Sequence, residues 1–143
     1  RGWTVGVAES MTGGLVGARL TSVSGASDTF MGGIIAYTPA QKRGLLGGDG
    51  ALLAAEGPVS AACGLAMADG CRVRLGVDLC IATTGNAGPT SDVDDKPVGL
   101  TYVAVATPEG STVEEFKFRG TRDANRVRAT QAALTLAYQT LSD

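Results

Sequence analysis

Short apolar runs alternate with longer stretches of helical periodicity along the first two-thirds of the chain. Apolar runs bounded by glycine or proline predict buried strands, and apolar positions three and four apart predict helices. Strands are expected at 3–8, 34–37 and 77–85, and helices at 14–23, 39–46, 60–75 and 121–143. Two further apolar runs on either side of residues 108–110 are typical of an antiparallel hairpin.

This element order predicts an α/β fold, namely a three-layer α/β/α sandwich around a mixed, mostly parallel sheet. The 143 residues have the length of one domain, and neither a repeat nor a linker is visible, so residues 1–143 are interpreted as a single domain. The last helix is expected to face the core through the apolar stripe Val127, Leu134, Tyr138 and Leu141.

Charge and hydropathy narrow the classes of partner. Twelve basic and fourteen acidic side chains give a net charge of -2, which offers no reason to expect a nucleic-acid partner. No apolar run reaches membrane-spanning length and no signal peptide is visible, so we expect no membrane and a cytoplasmic location. The three cysteines, Cys63, Cys71 and Cys80, are expected to be small buried hydrophobes in a reducing compartment.

The chain contains no histidine. This excludes a Ser-His-Asp triad and a Cys-His pair, and three thiols alone make a structural zinc site implausible. Any general base must therefore be a lysine, a carboxylate or a tyrosine.

Ser10 is the first candidate for chemistry, because it lies between the first strand and the first helix. Ligands of open α/β sheets gather at the carboxyl ends of strands. The N–H groups of Thr12, Gly13 and Gly14 at the helix start would stabilise a phosphate or an oxyanion there. An ordinary helix cap at Ser10 or Thr12 explains the same residues.

Lys42 is the second candidate, near the start of a short helix that Thr38 caps and Pro39 begins. The positive helix end and partial burial would favour a neutral amine, which can act as a base toward a serine hydroxyl. Tyr37, at the expected strand end, could orient the lysine or a substrate. A solvated lysine and a half-buried strand aromatic are the structural alternatives.

The third candidate is the loop "TTGNAGP" at 83–89, in which Thr84, Gly85 and Gly88 could line a pocket. A purely structural turn fits equally well. The acidic tract at 91–95 lacks regular ligand spacing, and a solvated loop is the better interpretation than a Mg²⁺ site.

The fourth candidate is a small basic group around the start of the last helix, which includes Arg122 and Arg126. Arginines four residues apart suit a phosphate or a carboxylate. Exposed helix charges explain the same residues. No aromatic residues are interleaved as in a nucleic-acid surface.

Six motifs in order resemble the CinA C-terminal domain family, which includes bacterial nicotinamide-nucleotide amidohydrolases. They are "AESMTGG", "GGIIAYTPAQK", "GPVS", "TTGNAGP", "KPVG" and "FRGTRDANRVR". The resemblance implies a homodimer that hydrolyses nicotinamide mononucleotide to nicotinic acid mononucleotide and ammonia, without a cofactor or metal. It places the family's Ser/Lys dyad on Ser10 and Lys42, and its other site residues on Tyr37, Ser27 and Arg122.

Departures from the family pattern affect specificity more than chemistry. Met11 stands where a small residue or cysteine is common, and "TSDVDDKP" replaces a glycine-richer loop. A non-catalytic nucleotide- or partner-binding module linked to competence or DNA damage, and an amidase for another substrate, remain the alternatives.

Overall fold

The computed structural model describes residues 1–45, 50–91 and 96–143. Its strands are β1 Val5–Glu9, β2 Phe30–Ile35, β3 Leu79–Gly85, β4 Leu100–Thr107 and β5 Gly110–Lys117. Its α-helices are α1 Leu15–Thr21, α2 Pro39–Leu45, α3 Gly50–Glu56, α4 Ala61–Leu75 and α5 Arg122–Ser142. A short 3₁₀ turn at Ala26–Asp28 precedes β2.

The strands form one sheet in the order β2-β1-β3-β4-β5. Strand β1 pairs in parallel with β2 and β3, whereas β4 pairs antiparallel with β3 and β5. Four strands therefore share one direction and β4 opposes them. This confirms the α/β class with a mixed sheet.

Helices cover both faces of the sheet, as the three-layer prediction requires. On one face α4 contributes Met67 and Cys71 to a core with the small strand residues Ala82 and Ala104. On the other face α1 and α5 cover a second core that includes Val16 from α1. Apolar area buried on both faces of the central strands provides the main driving force for folding.

All three cysteines are fully buried. The pKa of Cys80 is raised well above its ordinary value, mainly by its side-chain hydrogen bond with Cys71 and next by desolvation. A thiol with a raised pKa is a poor nucleophile, and the burial of all three cysteines makes them core side chains.

The ends of α4 follow the sequence signals. Ser60 Oγ accepts a hydrogen bond from Cys63 N at 3.1 Å, and Gly76 ends the helix in the left-handed conformation with φ 64°. Thr38 Oγ1 lies 3.4 Å from Gln41 N at the start of α2. The predicted end of α2 at residues 46–48 falls outside the described residues.

Strand β2 differs from its prediction, because it begins at Phe30 and ends at Ile35, leaving Tyr37 outside it. The predicted strand starts only at Ile34, because Gly32 and Gly33 precede it and glycine is typical of turns. Gly33 lies directly over Val7 of β1, where a side chain would meet the Val7 carbonyl oxygen at 3.0 Å. The glycine here permits close strand pairing.

Three other expectations are also wrong. Strand β1 begins at Val5, and α3 lies where no helix was predicted. On α5 the expected core stripe mostly faces outward, with Val127 56% and Tyr138 72% exposed. The buried side chains of α5 are mostly small, namely Asn125, Ala129, Thr130, Ala133, Leu136 and Ala137. Small residues let the helix lie close to the sheet, and periodicity alone could not identify that face.

The two ends of the chain meet at the amino end of β1. Arg1 Nη1 pairs with Glu109 Oε1 at 3.1 Å, and Arg1 Nη2 donates to the Asp143 carbonyl oxygen at 2.6 Å. The turn between β4 and β5 contains Glu109, so it lies at this same end.

Within the described ranges, every helix is too short or too polar to cross a bilayer.

Candidate active site

A cavity of about 90 Å³ lies at the carboxyl ends of β1 and β3. Five of the residues singled out in the sequence line it: Ser10, Tyr37, Lys42, Gly85 and Arg122. They come from four separate parts of the chain. The structure thus brings the candidate nucleophile, base and anion-binding side chain to one place.

Ser10 is held at the end of β1, where it is 3% exposed. Its N–H continues the pairing with β3 by donating to Thr83 O at 3.1 Å. Its hydroxyl lies 3.4 Å from the carbonyl oxygen of Tyr37, which is a long hydrogen bond. The backbone of Ser10 is therefore fixed, while its hydroxyl is only weakly held.

Lys42 enters the cavity from α2 and is 3% exposed, so the alternative of a solvated surface lysine is wrong. Its Nζ donates to Thr84 Oγ1 at 3.1 Å and lies 3.4 Å from Pro58 O. The Thr84 hydroxyl in turn donates to Pro58 O. Thr84 thus acts on the site through Lys42.

Tyr37 and Arg122 form one side of the cavity mouth. Arg122 Nη2 donates to the Tyr37 hydroxyl at 2.8 Å, and Arg122 Nη1 donates to Gly88 O at 2.7 Å. Gly88 has φ 87°, which glycine adopts without strain. Both side chains at the mouth are exposed and can reach a ligand from solvent.

Glu9 is a buried carboxylate beside the site, 1% exposed. Its Oε1 accepts hydrogen bonds from Thr12 Oγ1 at 2.6 Å and from Gly14 N and Val16 N, each at 3.0 Å. Its Oε2 accepts from Gly17 N at 2.9 Å. The start of α1 has no cap from its own N-cap residue, Gly14, so Glu9 replaces that cap.

This arrangement uses two of the three N–H donors expected for an anion at the start of α1. The Gly14 N–H is used by Glu9, and the Gly13 N–H donates to Ser10 O at 3.1 Å. The Thr12 hydroxyl faces Glu9 inside the protein. The N–H groups of Gly13 and Gly14 are therefore committed internally and cannot serve a ligand in this conformation.

A directional chain of hydroxyl groups links Glu9 to the Ser10 backbone. The Thr12 hydroxyl has one proton and gives it to Glu9, so Thr83 must be the donor in the 2.8 Å contact between their hydroxyl groups. Thr83 Oγ1 also lies 3.3 Å from Ser10 N. Glu9 thus fixes both the helix start and the residue that carries the candidate nucleophile.

Two expected site residues lie elsewhere. Arg126 donates to the carbonyl oxygens of Met11 and Thr12, and it is not among the described residues that line the cavity. Ser27 is exposed in the 3₁₀ turn before β2, at the Val5 end of the sheet. The length of β1 separates it from Ser10, roughly 13 Å along the strand.

Sequence reasoning missed Glu9 and Asn86. Asn86 lines the cavity and is buried, with its Nδ2 donating to Lys96 O at 3.0 Å. The loop containing it was recognised, but its one amide side chain was not. The signal for Glu9 is an acidic residue shortly before a helix whose N-cap residue, Gly14, has no side chain to cap it.

Metal-ligating side chains do not gather in the described ranges, where no three His, Cys, Asp or Glu residues come together. The acidic tract considered for Mg²⁺ lies mostly at 92–95, outside the described residues.

The family described as "CinA C-terminal domain" matches residues 1–141 of this sequence. The chain belongs to the CinA C-terminal domain family. A putative competence-damage inducible protein of Desulforamulus reducens is 46% identical over 95% of the chain, and a CinA-like protein of Frankia casuarinae is 46% identical over 99%. The match covers 33% of each of these relatives, so the chain spans about one third of their length.

Solved CinA structures share the fold. The competence damage-inducible protein A of Klebsiella pneumoniae superposes with a TM-score of 0.94 at 29% identity, over 99% of this chain and 88% of that one. The competence/damage inducible protein CihA of Agrobacterium tumefaciens gives 0.91 at 34% identity, over 96% and 85% of the two chains. The single CinA domain predicted for 1–143 remains a prediction.

Proposed function

We propose that this CinA domain hydrolyses the carboxamide of nicotinamide mononucleotide, giving nicotinic acid mononucleotide and ammonia for pyridine nucleotide recycling. The observation that carries the proposal is the convergence of Ser10 and Lys42 in one buried cavity, with Arg122 at its mouth. Membership of the CinA family and the absence of histidine from the chain both fit an amidase that uses a serine and a lysine.

In the first half of the reaction, Ser10 Oγ attacks the carboxamide carbon and its proton passes to the neutral amine of Lys42. Collapse of the tetrahedral intermediate breaks the C–N bond. Protonated Lys42 donates its proton to the departing nitrogen, so that ammonia leaves and an acyl-Ser10 ester remains. In the second half, water attacks this ester, Lys42 takes a proton from the water, and that proton returns to Ser10 as the acid is released.

The surroundings of Lys42 suit a base. Burial disfavours the charged ammonium relative to the neutral amine. The contacts with Thr84 Oγ1 and Pro58 O hold the nitrogen at a fixed position inside the cavity. A base must be correctly placed, and these two contacts meet that requirement.

Arg122 supplies the contact for the 5′-phosphate. A guanidinium has five N–H donors, and the bonds to Tyr37 and Gly88 use two of them. The remaining donors make no hydrogen bond with the described residues and can bind a phosphate oxygen at the exposed mouth. Asn86 and Gly85, on the opposite loop, would then lie along the pyridine and ribose.

We also retain the homodimer as a proposal. Strand β2 is an edge of the sheet, and its Met31 and Ile35 are 49% and 57% exposed. An edge with exposed apolar side chains favours pairing with a second copy. Light scattering of the purified domain tests it, and a monomer across the micromolar range would exclude it.

Ammonia release from nicotinamide mononucleotide is the experiment that tests the amidase. We expect turnover by the wild type and a loss of at least ~10³-fold in both Ser10→Ala and Lys42→Met. Ser111→Ala and Lys117→Met, at exposed positions on β5, are the matched controls and should retain turnover.

Each other outcome points to a named alternative. Turnover retained by Ser10→Ala would exclude that serine as the nucleophile. Binding of the mononucleotide without ammonia release by the wild type would favour a non-catalytic binding module. Turnover of nicotinamide or NAD in place of the mononucleotide would indicate an amidase for another substrate.

A further inference from the structure

The peptide groups after Ser10 have a defined orientation. Ser10 O accepts a hydrogen bond from Gly13 N at 3.1 Å, which closes a tight turn over residues 10–13. A trans peptide group is planar, with its C=O and N–H pointing in opposite directions. Because Ser10 O points into the turn, the N–H of Met11 points out of it.

Arg126 holds the next two peptide groups from the opposite side. Its Nε donates to Met11 O at 2.9 Å, and its Nη2 donates to Thr12 O at 3.2 Å. A charged donor on two successive carbonyl groups restrains the loop more strongly than neutral contacts would. Gly13, with φ 58°, permits this approach, because a side chain there would begin 3.1 Å from Arg126 Nη2.

The Met11 N–H remains available. Gly13 N and Gly14 N donate within the protein, whereas Met11 N makes no hydrogen bond with any residue in 1–45, 50–91 or 96–143. Met11 is 3% exposed and lines the cavity beside Ser10. A buried N–H without a partner is rare in native proteins and calls for a functional or structural reason.

We propose that the Met11 backbone N–H is an oxyanion donor of this site, and that Arg126 is the positioning residue that orients it. The inference rests on the proposed function, since it needs Ser10 as the nucleophile. In acyl-transfer enzymes the N–H of the residue after the nucleophile is a common oxyanion donor, because it adjoins the attacked carbonyl group. Arg126 is then a clamp on the loop, in contrast to its predicted role as a substrate ligand.

The first test removes the donor and keeps the turn. Proline has no N–H but suits the second position of a tight turn, so Met11→Pro deletes the donor, and Met11→Ala deletes the side chain alone. With nicotinamide mononucleotide as substrate, we expect the kcat of Met11→Pro to fall ~100-fold or more below that of Met11→Ala. Equal kcat values in two folded variants, checked by their unfolding midpoints, would overturn the oxyanion assignment.

The second test separates positioning from substrate binding at Arg126. Arg126→Gln should lower kcat by ~100-fold with little change in KM, and guanidinium ion in the assay should restore part of the rate. Arg128→Gln, at an exposed position on the same helix, is the matched control. A rise in KM with kcat unchanged would indicate that Arg126 binds the substrate, and it would overturn the proposal that Arg126 positions the loop.

Ammonia release by the wild type distinguishes a failure of the proposed reaction from a failure of the oxyanion inference alone. No ammonia release by the wild type rejects the reaction and, with it, this inference. Release by the wild type, together with insensitivity of kcat to both Met11→Pro and Arg126→Gln, rejects the inference and leaves the reaction intact.

Discussion

Replacement of Glu9 by glutamine tests whether this buried carboxylate holds the start of α1. Glutamine keeps the shape of the side chain but has only one acceptor oxygen. If that oxygen takes the position of Oε1, it keeps the contacts with Thr12, Gly14 and Val16. The new NH₂ group then faces the N–H of Gly17, which now contacts Oε2 at 2.9 Å. Two donors face each other, and one is left without an acceptor.

The magnitude follows from these contacts. A buried donor left without a partner costs about 1–3 kcal/mol, and each of the three retained hydrogen bonds weakens by about 1 kcal/mol when the acceptor loses its charge. Loss of the charge also removes part of its desolvation cost, which offsets some of this. We expect Glu9→Gln to lower the free energy of unfolding by about 2–4 kcal/mol. That corresponds to roughly 6–12 °C in Tm for a chain of this length.

Urea unfolding followed by the fluorescence of Trp3, the single tryptophan, measures the free energy of unfolding. Hydrogen exchange adds a local readout, since the amide of Gly17 should lose protection first. Glu114→Gln, exposed on β5, is the control and should change stability by less than about 0.5 kcal/mol. A change this small for Glu9→Gln would refute the reasoning that the carboxylate caps α1.

Two further predictions concern stability. Gly99 has φ 90°, and a methyl group there would overlap the Phe118 carbonyl oxygen, so Gly99→Ala should cost about 3–5 kcal/mol in urea unfolding. Gly25→Ala, with φ 86° and open space around it, should cost only about 1 kcal/mol; equal costs would contradict the overlap argument. The pKa of Tyr102 is raised to about 12, above an unfolded value of about 10, and desolvation is the larger cause. The 2.6 Å hydrogen bond to Glu115 is the next largest. The neutral phenol therefore stabilises the fold below pH 10, and this contribution is lost as the pH rises towards 12. Between pH 8 and pH 11, the free energy of unfolding should therefore fall further for the wild type than for Tyr102→Phe.

The architecture could be predicted because its signals are local. The start and end of α4 are set by Ser60 and Gly76, and glycine or proline bounds the buried strand β3. Strand β2 could not be predicted correctly, since Gly33 serves a contact with Val7 that is distant in sequence. The buried face of α5 was missed for the same reason, because its alanines matter only once the sheet lies against them.

The features of the candidate site also divide into those that the sequence could predict and those that it could not. Ser10 and Lys42 were singled out from their positions beside helix starts and from the order of six motifs, and the structure places both in one cavity. The use made of each N–H group could not be predicted. Whether the amides at the start of α1 serve a ligand or Glu9 depends on side-chain direction, which no spacing in the sequence specifies.

The meeting of both chain ends around Arg1 has a practical consequence. Helix α5 starts beside the cavity at Arg122 and runs for 21 residues, roughly 31 Å, before the chain ends. An affinity tag, a reporter protein or a surface linker joined at either terminus would therefore attach on the side away from the pocket. An immobilised array of this domain would present every cavity mouth to the solution.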